Sequence, residues 1–485
     1  MTETDIKSRQ YKPGRIVTGV SLGLTIIFAF LLGIALSFAF DTAPLTAYAV
    51  PVLLLLLGSF VFLLFHHGLW ILVLALAIRS SLEAISGVGL LGGLNLASLL
   101  ALGILVLAVS RLAIARKFLL ALNDRTFPYL LLTSWGIFSG FVINSNFWSI
   151  AQGSAEIARM LSNISIFWLV LAFVKDRKDF YRMLVAIVLS GLLPLAAGFL
   201  GLLQDSGTSI VWGIPGLVRI KGLFAHPNNY AHYLIIIGLC AYILFRWSKL
   251  EWVHLQKPLL ILLAVILVSL AMTFSRSALI GVGVAIFLIG VKNTRTLLTT
   301  LLVLAILGLL FAWFFPSFVE YTFTQTLTSM DPSESTLASR FWIWEHGYKW
   351  FTSSPVVGNG PGSFVKLVRI DAHNDYLRIL VEYGIPGLLF FGWVSIIQFM
   401  DGWRLMITSR RFQKEAERDH RAESAQLTLL DSRKGYILAR VFLTLLITIM
   451  VMAAGSNIFN FPVLQWYIFA MWGLVVVYHE YLNRQ

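Results

Sequence analysis

The chain has 485 residues, of which 58% are hydrophobic and only 13% are charged. Soluble globular proteins average about 25% charged residues, so the composition excludes that class and indicates a polytopic membrane protein. The 37 Lys and Arg residues outnumber the 24 Asp and Glu residues. Because the basic residues concentrate in alternate loops, this excess indicates membrane topology and not nucleic-acid binding. The single cysteine, Cys240, cannot form an intramolecular disulfide and is expected to be buried.

Apolar runs long enough to cross a bilayer recur along the whole chain. The first run follows Lys7 to Arg15 and is expected to be a retained helix, because no signal-peptide cleavage pattern accompanies it. We predict an all-α integral membrane protein with about 12–14 transmembrane helices. The predicted spans are 16–40, 44–65, the shorter 67–79, 93–110, 127–143, 155–174, 180–203, 229–246, 258–273, 277–291, 297–315, 386–403, 436–455 and 461–479.

The positive-inside rule assigns the basic loops to the cytoplasm, and this predicts that both termini are cytoplasmic. The predicted organisation has transmembrane helices over 1–315, a large outer loop with amphipathic helices over 316–385, and C-terminal transmembrane helices over 386–485. The last part includes a highly charged cytoplasmic loop at 405–435, which is expected to be a partly helical or disordered connector.

The large outer loop contains a predicted amphipathic helix in "TLASRFWIWEHGYKWF", which begins after a serine cap. Leu337, Phe341, Trp344 (or Ile343) and Tyr348 recur at helical spacing and are expected to face the membrane–water boundary. The glycines of the following "SSPVVGNGPGSF" indicate a turn. They do not indicate a phosphate-binding loop, because no lysine follows in the required register.

The stretch "DAHNDYLRILVEYGIPGLLFF" is polar in its first half and apolar in its second. Asp371 or Asn374 can cap a short helix that ends at Gly384, before Pro386 begins the next span. His373 falls at the start of this helix, where the helix dipole favours a neutral imidazole that can act as a general base. The residues alone leave open the alternative that His373 only caps or anchors the loop.

Several basic residues on the predicted outer side run against the positive-inside bias and suggest an anionic ligand. Arg219 and Lys221 stand two apart on one side of a predicted extended segment, just before His226 and Asn228. Arg276 lies in a tight turn in "TFSRSALIG". Each of these basic side chains could simply lie at the membrane interface, but three of them on one side favour an anion site.

Four motifs in residues 215–391 resemble those of the O-antigen ligase and polymerase superfamily of bacterial envelope glycosyltransferases. The most specific is His-Asn, nine residues, Gly-x-x-Gly, which is present without departure. "RIKGLFAHPN" is similar to Arg-x-x-Gly-x-Phe-x-x-Pro-Asn, and "SRSA" is similar to Ser-Arg-Gly-Ala with serine in place of glycine. The fourth motif joins Arg, Trp, Pro and Gly-x-Gly. The residues that carry the resemblance are His373, Asn374, Gly384, Gly387, Arg219, Gly222, Phe224, Pro227, Asn228, Arg276, Arg340, Trp344, Pro355, Gly358 and Gly360.

The resemblance implies an all-helical fold in the bacterial inner membrane and an undecaprenyl-pyrophosphate-linked glycan donor. It also implies an inverting transfer on the outer face that needs no metal and no cofactor. His373 would be catalytic, and Arg219, Arg276 and Lys221 would bind the donor pyrophosphate. A glycan acceptor, the lipid bilayer and a chain-length regulator are the other expected partners. Residues that would support the site or lie on the acceptor side are Arg340, Asn374, Arg378, Asn228 and His226.

Members of this superfamily differ in their acceptor. Arg79 followed by Glu83, with the "GGLNLA" turn at 92–97, looks more similar to polysaccharide polymerases, which join lipid-linked repeat units. The alternative is an O-antigen ligase, which moves the finished glycan to the lipopolysaccharide core. A small-anion transporter is a further alternative, although transporters tend to carry internal repeats and charges near the membrane midplane.

Overall fold

The computed structural model describes residues 68–85, 95–114, 123–143, 150–204, 208–210, 218–291, 336–418 and 423–484, with the single positions 298, 302, 309 and 313. By its internal contacts the chain divides into residues 1–71 and residues 72–485. The second unit contains almost all of the described residues, and it is overwhelmingly helical.

The helices of the described part follow the apolar runs of the sequence closely. Their bounds are α1 Gly68–Arg79, α2 Leu96–Ile114, α3 Phe127–Ile137, α4 Ile150–Phe173, α5 Arg177–Leu189, α6 Leu192–Gln204, α7 Pro227–Glu251, α8 Gln256–Met272, α9 Arg276–Gly290, α10 Thr336–Ser353, α11 Ser363–Val368, α12 Asp375–Arg418, α13 Glu423–Ala453 and α14 Pro462–Leu482. Short 3-10 turns lie at Ser81–Ile85 and Val253–Leu255, and a π-helical turn at Phe138–Ile143 extends α3. Two short strands, β1 Thr208–Ile210 and β2 Val218–Ile220, pair antiparallel between α6 and α7.

Eight helical segments of the described part are long and apolar enough to cross a membrane, which confirms the predicted all-α integral membrane class. The predicted run 67–79 forms the shorter apolar helix α1. The predicted spans 16–40 and 44–65 lie outside the described residues, and so does 297–315 apart from four single positions.

Helix α14 is the most enclosed of the eight candidate spans, since 89% of its apolar window is buried inside the protein. The corresponding window over Val253–Met272, which includes α8, is only 17% buried, so α8 faces the surroundings. Trp472 of α14 stacks on Phe167 of α4 with ring centroids 4.0 Å apart. Cys240 of α7 is buried and unbridged, as the sequence predicts.

The charged segment 405–435 is more regular than the sequence suggests. Helix α12 continues to Arg418 and α13 begins at Glu423, so that only residues 419–422 separate the described parts of the two helices. The Gln413 amide of α12 donates to the Ser432 carbonyl of α13 at 3.0 Å. Cross-helix contacts of this kind allow the helical hairpin to extend beyond the apolar runs.

The amphipathic helix predicted in the large loop is α10, but the prediction of its exposed face is partly wrong. Phe341 and Tyr348 are 58% and 60% exposed, as expected for a boundary face. Trp344 is half-buried, and its indole N–H donates to the Ala372 carbonyl at 3.0 Å. Trp344 packs against a small buried core that joins α10, α11 and the start of α12, formed by Ile343, Phe364, Val368, Ala372 and Val381.

Helix α12 is broken at Gly384, where the sequence predicts a helix end before Pro386. Gly384 has φ 67° and ψ −167°, a conformation that is essentially restricted to glycine. The break leaves helix carbonyls without intrahelical partners. The backbone N–H of Asn359 donates to the Val381 carbonyl at 2.8 Å, and that of Gly360 donates to the Glu382 carbonyl at 2.9 Å. The glycine-rich turn therefore docks on the broken helix.

Substitution of Gly384 by alanine is expected to destabilise this docking. A Cβ at Gly384 would lie 2.3 Å from the carbonyl oxygen of Val356, and the backbone strain alone costs about 1–3 kcal/mol. The midpoint of thermal unfolding of the purified protein should therefore fall. Gly392→Ala on the same helix is the matched control, because a Cβ there meets nothing within 4 Å. Equal midpoints for the two variants would contradict the docking role of Gly384.

Candidate active site

Four helices begin close together at one end of the described bundle: α7 at Pro227, α9 at Arg276, α12 at Asp375 and α14 at Pro462. The Ser456 hydroxyl, just before α14, donates to the Ser277 hydroxyl of α9 at 2.8 Å. Helix N-termini carry partial positive charge, so their convergence favours an anion. We call this region the site end, and it consists of residues 219–229, 273–277, 371–375 and 456–461.

His373 lies at the site end in an unusual backbone conformation. Its φ is 48°, in the left-handed region that non-glycine residues rarely adopt. The next residue, Asn374, caps α12, because its side-chain oxygen accepts a hydrogen bond from the Leu377 N–H at 3.1 Å. The sequence allows either Asp371 or Asn374 to cap this helix, and the structure shows Asn374 as the cap. Strain of this kind concentrates at functional positions, which supports a role for His373 beyond anchoring.

The electrostatic surroundings of His373 favour its neutral form. Partial burial and the nearby charge of Arg340 lower the pKa of His373 below its ordinary value of 6.5, while Asp371 opposes the shift. A neutral imidazole at neutral pH has a free lone pair and can accept a proton. The sequence predicts this state from the helix dipole, and the structure adds two further causes, burial and the charge of Arg340.

Arg219 on strand β2 ties three segments of the site end together. Its Nε donates to the Thr273 carbonyl at 2.7 Å, and its Nη2 donates to the Asn228 side-chain oxygen at 2.9 Å. Thr273 begins the tight turn before Arg276, in which Phe274 adopts φ 51°. The arginine therefore fixes this strained turn against the start of α7.

Arg276 and Arg340 approach each other from separate parts of the chain. Arg276 is the first residue of α9 and is exposed, whereas Arg340 on α10 is half-buried. Burial and the charge of Arg276 lower the pKa of Arg340. The positive charges of the two guanidinium groups repel each other, and a bound phosphate would relieve the repulsion. The planar fork of arginine suits phosphate oxygens.

His226 and Lys221 have different surroundings, although both precede α7. The Nδ1 atom of His226 accepts the Asn228 backbone N–H at 3.1 Å, so His226 caps α7. Partial burial and the charges of Arg219 and His373 lower the pKa of His226, and Asp371 opposes them. The extended segment ends before Lys221, whose carbonyl accepts a hydrogen bond within a turn. A role for Lys221 in donor binding stays a prediction.

Arg378 is buried between two carboxylates just after His373. Its Nη2 lies 3.0 Å from Asp375 Oδ1, and its Nη1 lies 3.1 Å from Glu382 Oε2. The other oxygen of Asp375 accepts the backbone N–H groups of Ile458 and Phe459 at 2.5 and 2.9 Å. Asp375, Arg378 and Glu382 thus lie on one face of α12, and the network locks the start of this helix to the segment before α14. A contact between Arg378 and the acceptor stays a prediction.

A cavity of about 90 Å³ lies beside His373. Sequence analysis singled out some of its lining residues but missed His232 and Asn457. Both left a signal in the sequence, since His232 is an ionisable residue in an apolar run and Asn457 lies in the polar "GSNIFN" between two spans. The lining residues are His226, Asn228, Asn229, His232, Asp371, His373, Ser456, Asn457 and Phe461.

Among the described residues, no group of three or more His, Cys, Asp or Glu side chains is placed to hold a metal ion. The expectation of metal independence rests on the family resemblance and stays a prediction.

The described helices and the polar site end define a multi-pass membrane protein with a cluster of arginine and histidine side chains at one end of its helices. Residues 259–392 match the family model described as O-antigen ligase. Over this segment the chain is therefore similar to that family, which supports the resemblance that its motifs indicate. The matched segment includes Arg276, Arg340 and His373, whereas Arg219 and His226 precede it. A comparison with curated proteins found no significant match.

Proposed function

We propose that the protein transfers a glycan from an undecaprenyl-pyrophosphate-linked donor to an acceptor hydroxyl on the outer face of the bacterial inner membrane. The observation that carries this proposal is the convergence of four segments: Arg219, Arg276 and His373 lie at the site end, and Arg340 of α10 acts on His373 through its charge. The residues come from β2, the start of α9, α10 and the loop before α12. The positive-inside distribution of the loops supports the outer location.

The chemistry follows from the residue types. Arg219, Arg276 and Arg340 bind the pyrophosphate oxygens, and Arg219 also holds the turn that presents Arg276. His373 takes the proton of the acceptor hydroxyl as its oxygen bonds to the anomeric carbon. The bond from that carbon to the pyrophosphate oxygen breaks, the configuration inverts, and undecaprenyl pyrophosphate leaves. The arginines stabilise the negative charge that develops on the leaving group.

The remaining residues position the pyrophosphate-binding arginines and the catalytic histidine. Asn374 fixes His373 at the start of α12, and Asn228 holds Arg219 through the hydrogen bond described above. His226 shares the cavity with His373, which supports its proposed role on the acceptor side. Arg378 stabilises the start of α12 through its ion pairs with Asp375 and Glu382.

A polysaccharide polymerase is the proposed member of the superfamily, with a second lipid-linked repeat unit as acceptor and a chain-length regulator as partner. The ion pair between Arg79 and Glu83, at 2.7 Å, belongs to the region that resembles polymerases. The second candidate is a ligase, which the description of the matching family model favours.

The proposal is tested in cells that carry Arg276→Ala in place of the wild-type chain at equal protein level. Gel profiles of the envelope polysaccharide are compared with assays of the lipid-linked intermediates. Arrest at single repeat units is expected and identifies a polymerase. Long chains that accumulate on undecaprenyl pyrophosphate would identify a ligase. Wild-type polysaccharide in the variant would contradict glycan transfer and leave anion transport as the activity to test.

The transfer rate is expected to fall at acid pH. The neutral imidazole of His373 is the active form, and its lowered pKa keeps it neutral at pH 7, so kcat/KM should decline only below pH 6.5. Arg340→Met removes a nearby positive charge and should move the inflection to higher pH, whereas Asp371→Asn should move it lower. The pH–rate profiles of the purified proteins check this, and inflections that do not move would contradict His373 as the base.

A further inference from the structure

The cavity beside His373 contains two buried polar atoms that the described protein groups leave unsatisfied. His232 is 1% exposed and Asn457 is 6% exposed. Neither His232 Nδ1 nor Asn457 Oδ1 has a hydrogen-bond partner among the described residues. Both residues line the cavity together with His373. Buried polar groups are normally paired, so this pair indicates a ligand group that reaches into the cavity.

The other groups around His232 restrict what that ligand can be. Its Nε2 lies 3.2 Å from the Ser277 hydroxyl, which also accepts a hydrogen bond from Ser456. In one tautomer Nδ1 donates into the cavity, and in the other it accepts. Asn457 Oδ1 only accepts. A phosphate oxygen cannot donate to Asn457, whereas a hydroxyl group can donate to the amide oxygen and also satisfy either tautomer of His232.

The cavity is larger than a single water molecule requires. About 10–15 Å³ is enough for one water, whereas this cavity measures about 90 Å³. It can therefore admit one edge of a sugar ring. Its walls are polar around His232 and Asn457, and Phe461 provides an apolar wall.

We infer that this cavity is a sugar-hydroxyl subsite in which His232 and Asn457 bind a hydroxyl group next to the reacting one. The inference rests on the proposed glycan transfer, because it requires a sugar beside His373. The hydroxyl belongs either to the acceptor or to the sugar that carries the pyrophosphate. In both cases His232 and Asn457 bind a neutral hydroxyl group, whereas the arginines bind the anion.

The test uses purified full-length protein with the lipid-linked repeat unit extracted from the producing cells as donor. The acceptors are methyl glycosides of the sugars in that polysaccharide and their monodeoxy analogues. For wild type, one deoxy analogue is expected to lose about 10- to 100-fold in kcat/KM, because it leaves buried polar groups unpaired. In Asn457→Leu the discrimination at that hydroxyl should collapse to about twofold, while discrimination at the other hydroxyls persists.

Two further variants separate binding from structure. Asn457→Asp keeps an acceptor oxygen in the same place and should retain the discrimination even if the rate changes. Gln465→Met removes another buried side chain with an unpartnered amide nitrogen and should leave the discrimination intact, because Gln465 does not line this cavity. The glycosides of the donor sugar and their deoxy analogues are also tested as inhibitors. If Asn457→Leu stops distinguishing the deoxy analogues only among these inhibitors, the hydroxyl belongs to the donor.

Equal rate loss for all acceptors in Asn457→Leu, with discrimination among the donor-sugar inhibitors unchanged, would overturn the inference and assign Asn457 to structure alone. With wild type, equal rates for every deoxy acceptor together with equal inhibition by every deoxy donor-sugar glycoside would also overturn it, because the cavity would then hold only water. Neither result touches the proposed transfer, which fails in this assay if wild type forms no product.

Discussion

Replacement of His373 is expected to lower kcat for glycan transfer by about 10²–10⁴-fold, the usual contribution of a general base. Two variants are needed because His373 has φ 48°. His373→Ala removes the base but also places alanine in a left-handed conformation, which adds strain. His373→Asn removes the base at lower backbone cost, because asparagine tolerates this conformation. Both variants should be inactive, and His373→Asn should unfold at the wild-type temperature.

The control for this experiment is His346→Ala on α10. His346 is half-buried, its Nδ1 lies 2.8 Å from the Trp342 carbonyl, and it does not line the cavity. Its replacement should leave transfer unchanged. Near-wild-type transfer by His373→Asn would show that position 373 matters only for the backbone, and the base would have to be sought elsewhere.

Replacement of Arg378 by methionine is expected to be the most destabilising of the substitutions considered. The Arg378 side chain is 8% exposed, and its partners Asp375 and Glu382 are 0% and 2% exposed. Removal of one partner from a buried ion pair costs about 3–5 kcal/mol, because the remaining charges are left buried and unpaired. The thermal midpoint of the purified protein should fall strongly.

Arg411→Met is the matched control, because Arg411 of the same helix pairs with Glu415 at the same spacing but is 71% exposed. An exposed pair contributes only about 0–1 kcal/mol, so the midpoint should scarcely move. Neutralising the carboxylates as well, in Arg378→Met with Asp375→Asn and Glu382→Gln, should recover part of the lost stability. An Arg378→Met protein with a wild-type midpoint and a raised acceptor KM would instead support the acceptor-side role that the sequence suggests.

The sequence predicts the membrane-spanning helices well because each is a long apolar run whose identity depends little on its neighbours. Gly384 and Pro386 likewise mark the break in α12 correctly, since their backbone preferences are local. The extension of α12 to Arg418 was only partly anticipated, because it is supported by contacts with α13. The half-burial of Trp344 depends on the Ala372 carbonyl, which no periodicity within α10 reveals.

The candidate site is likewise predictable from the sequence only in part. His373, Asn374, Arg219 and Arg276 were identifiable because each stands out in an apolar chain or belongs to a short motif. The contacts that assemble them join distant segments, such as Asp375 to the backbone at 458–459. His232 and Asn457 were missed because their importance lies in unpaired atoms that face one cavity, a property of the folded protein alone.

In the proposed mechanism the arginine cluster binds a lipid pyrophosphate and His373 acts on the acceptor. The most direct measurement is the Kd of undecaprenyl pyrophosphate for the purified protein, with undecaprenol as the neutral lipid control. We expect that His373→Asn binds as wild type does, that Arg276→Ala binds about 10-fold or more weakly, and that Arg276→Lys lies between them. Equal affinity of wild type and Arg276→Ala, or no preference for the pyrophosphate over undecaprenol, would contradict this mechanism.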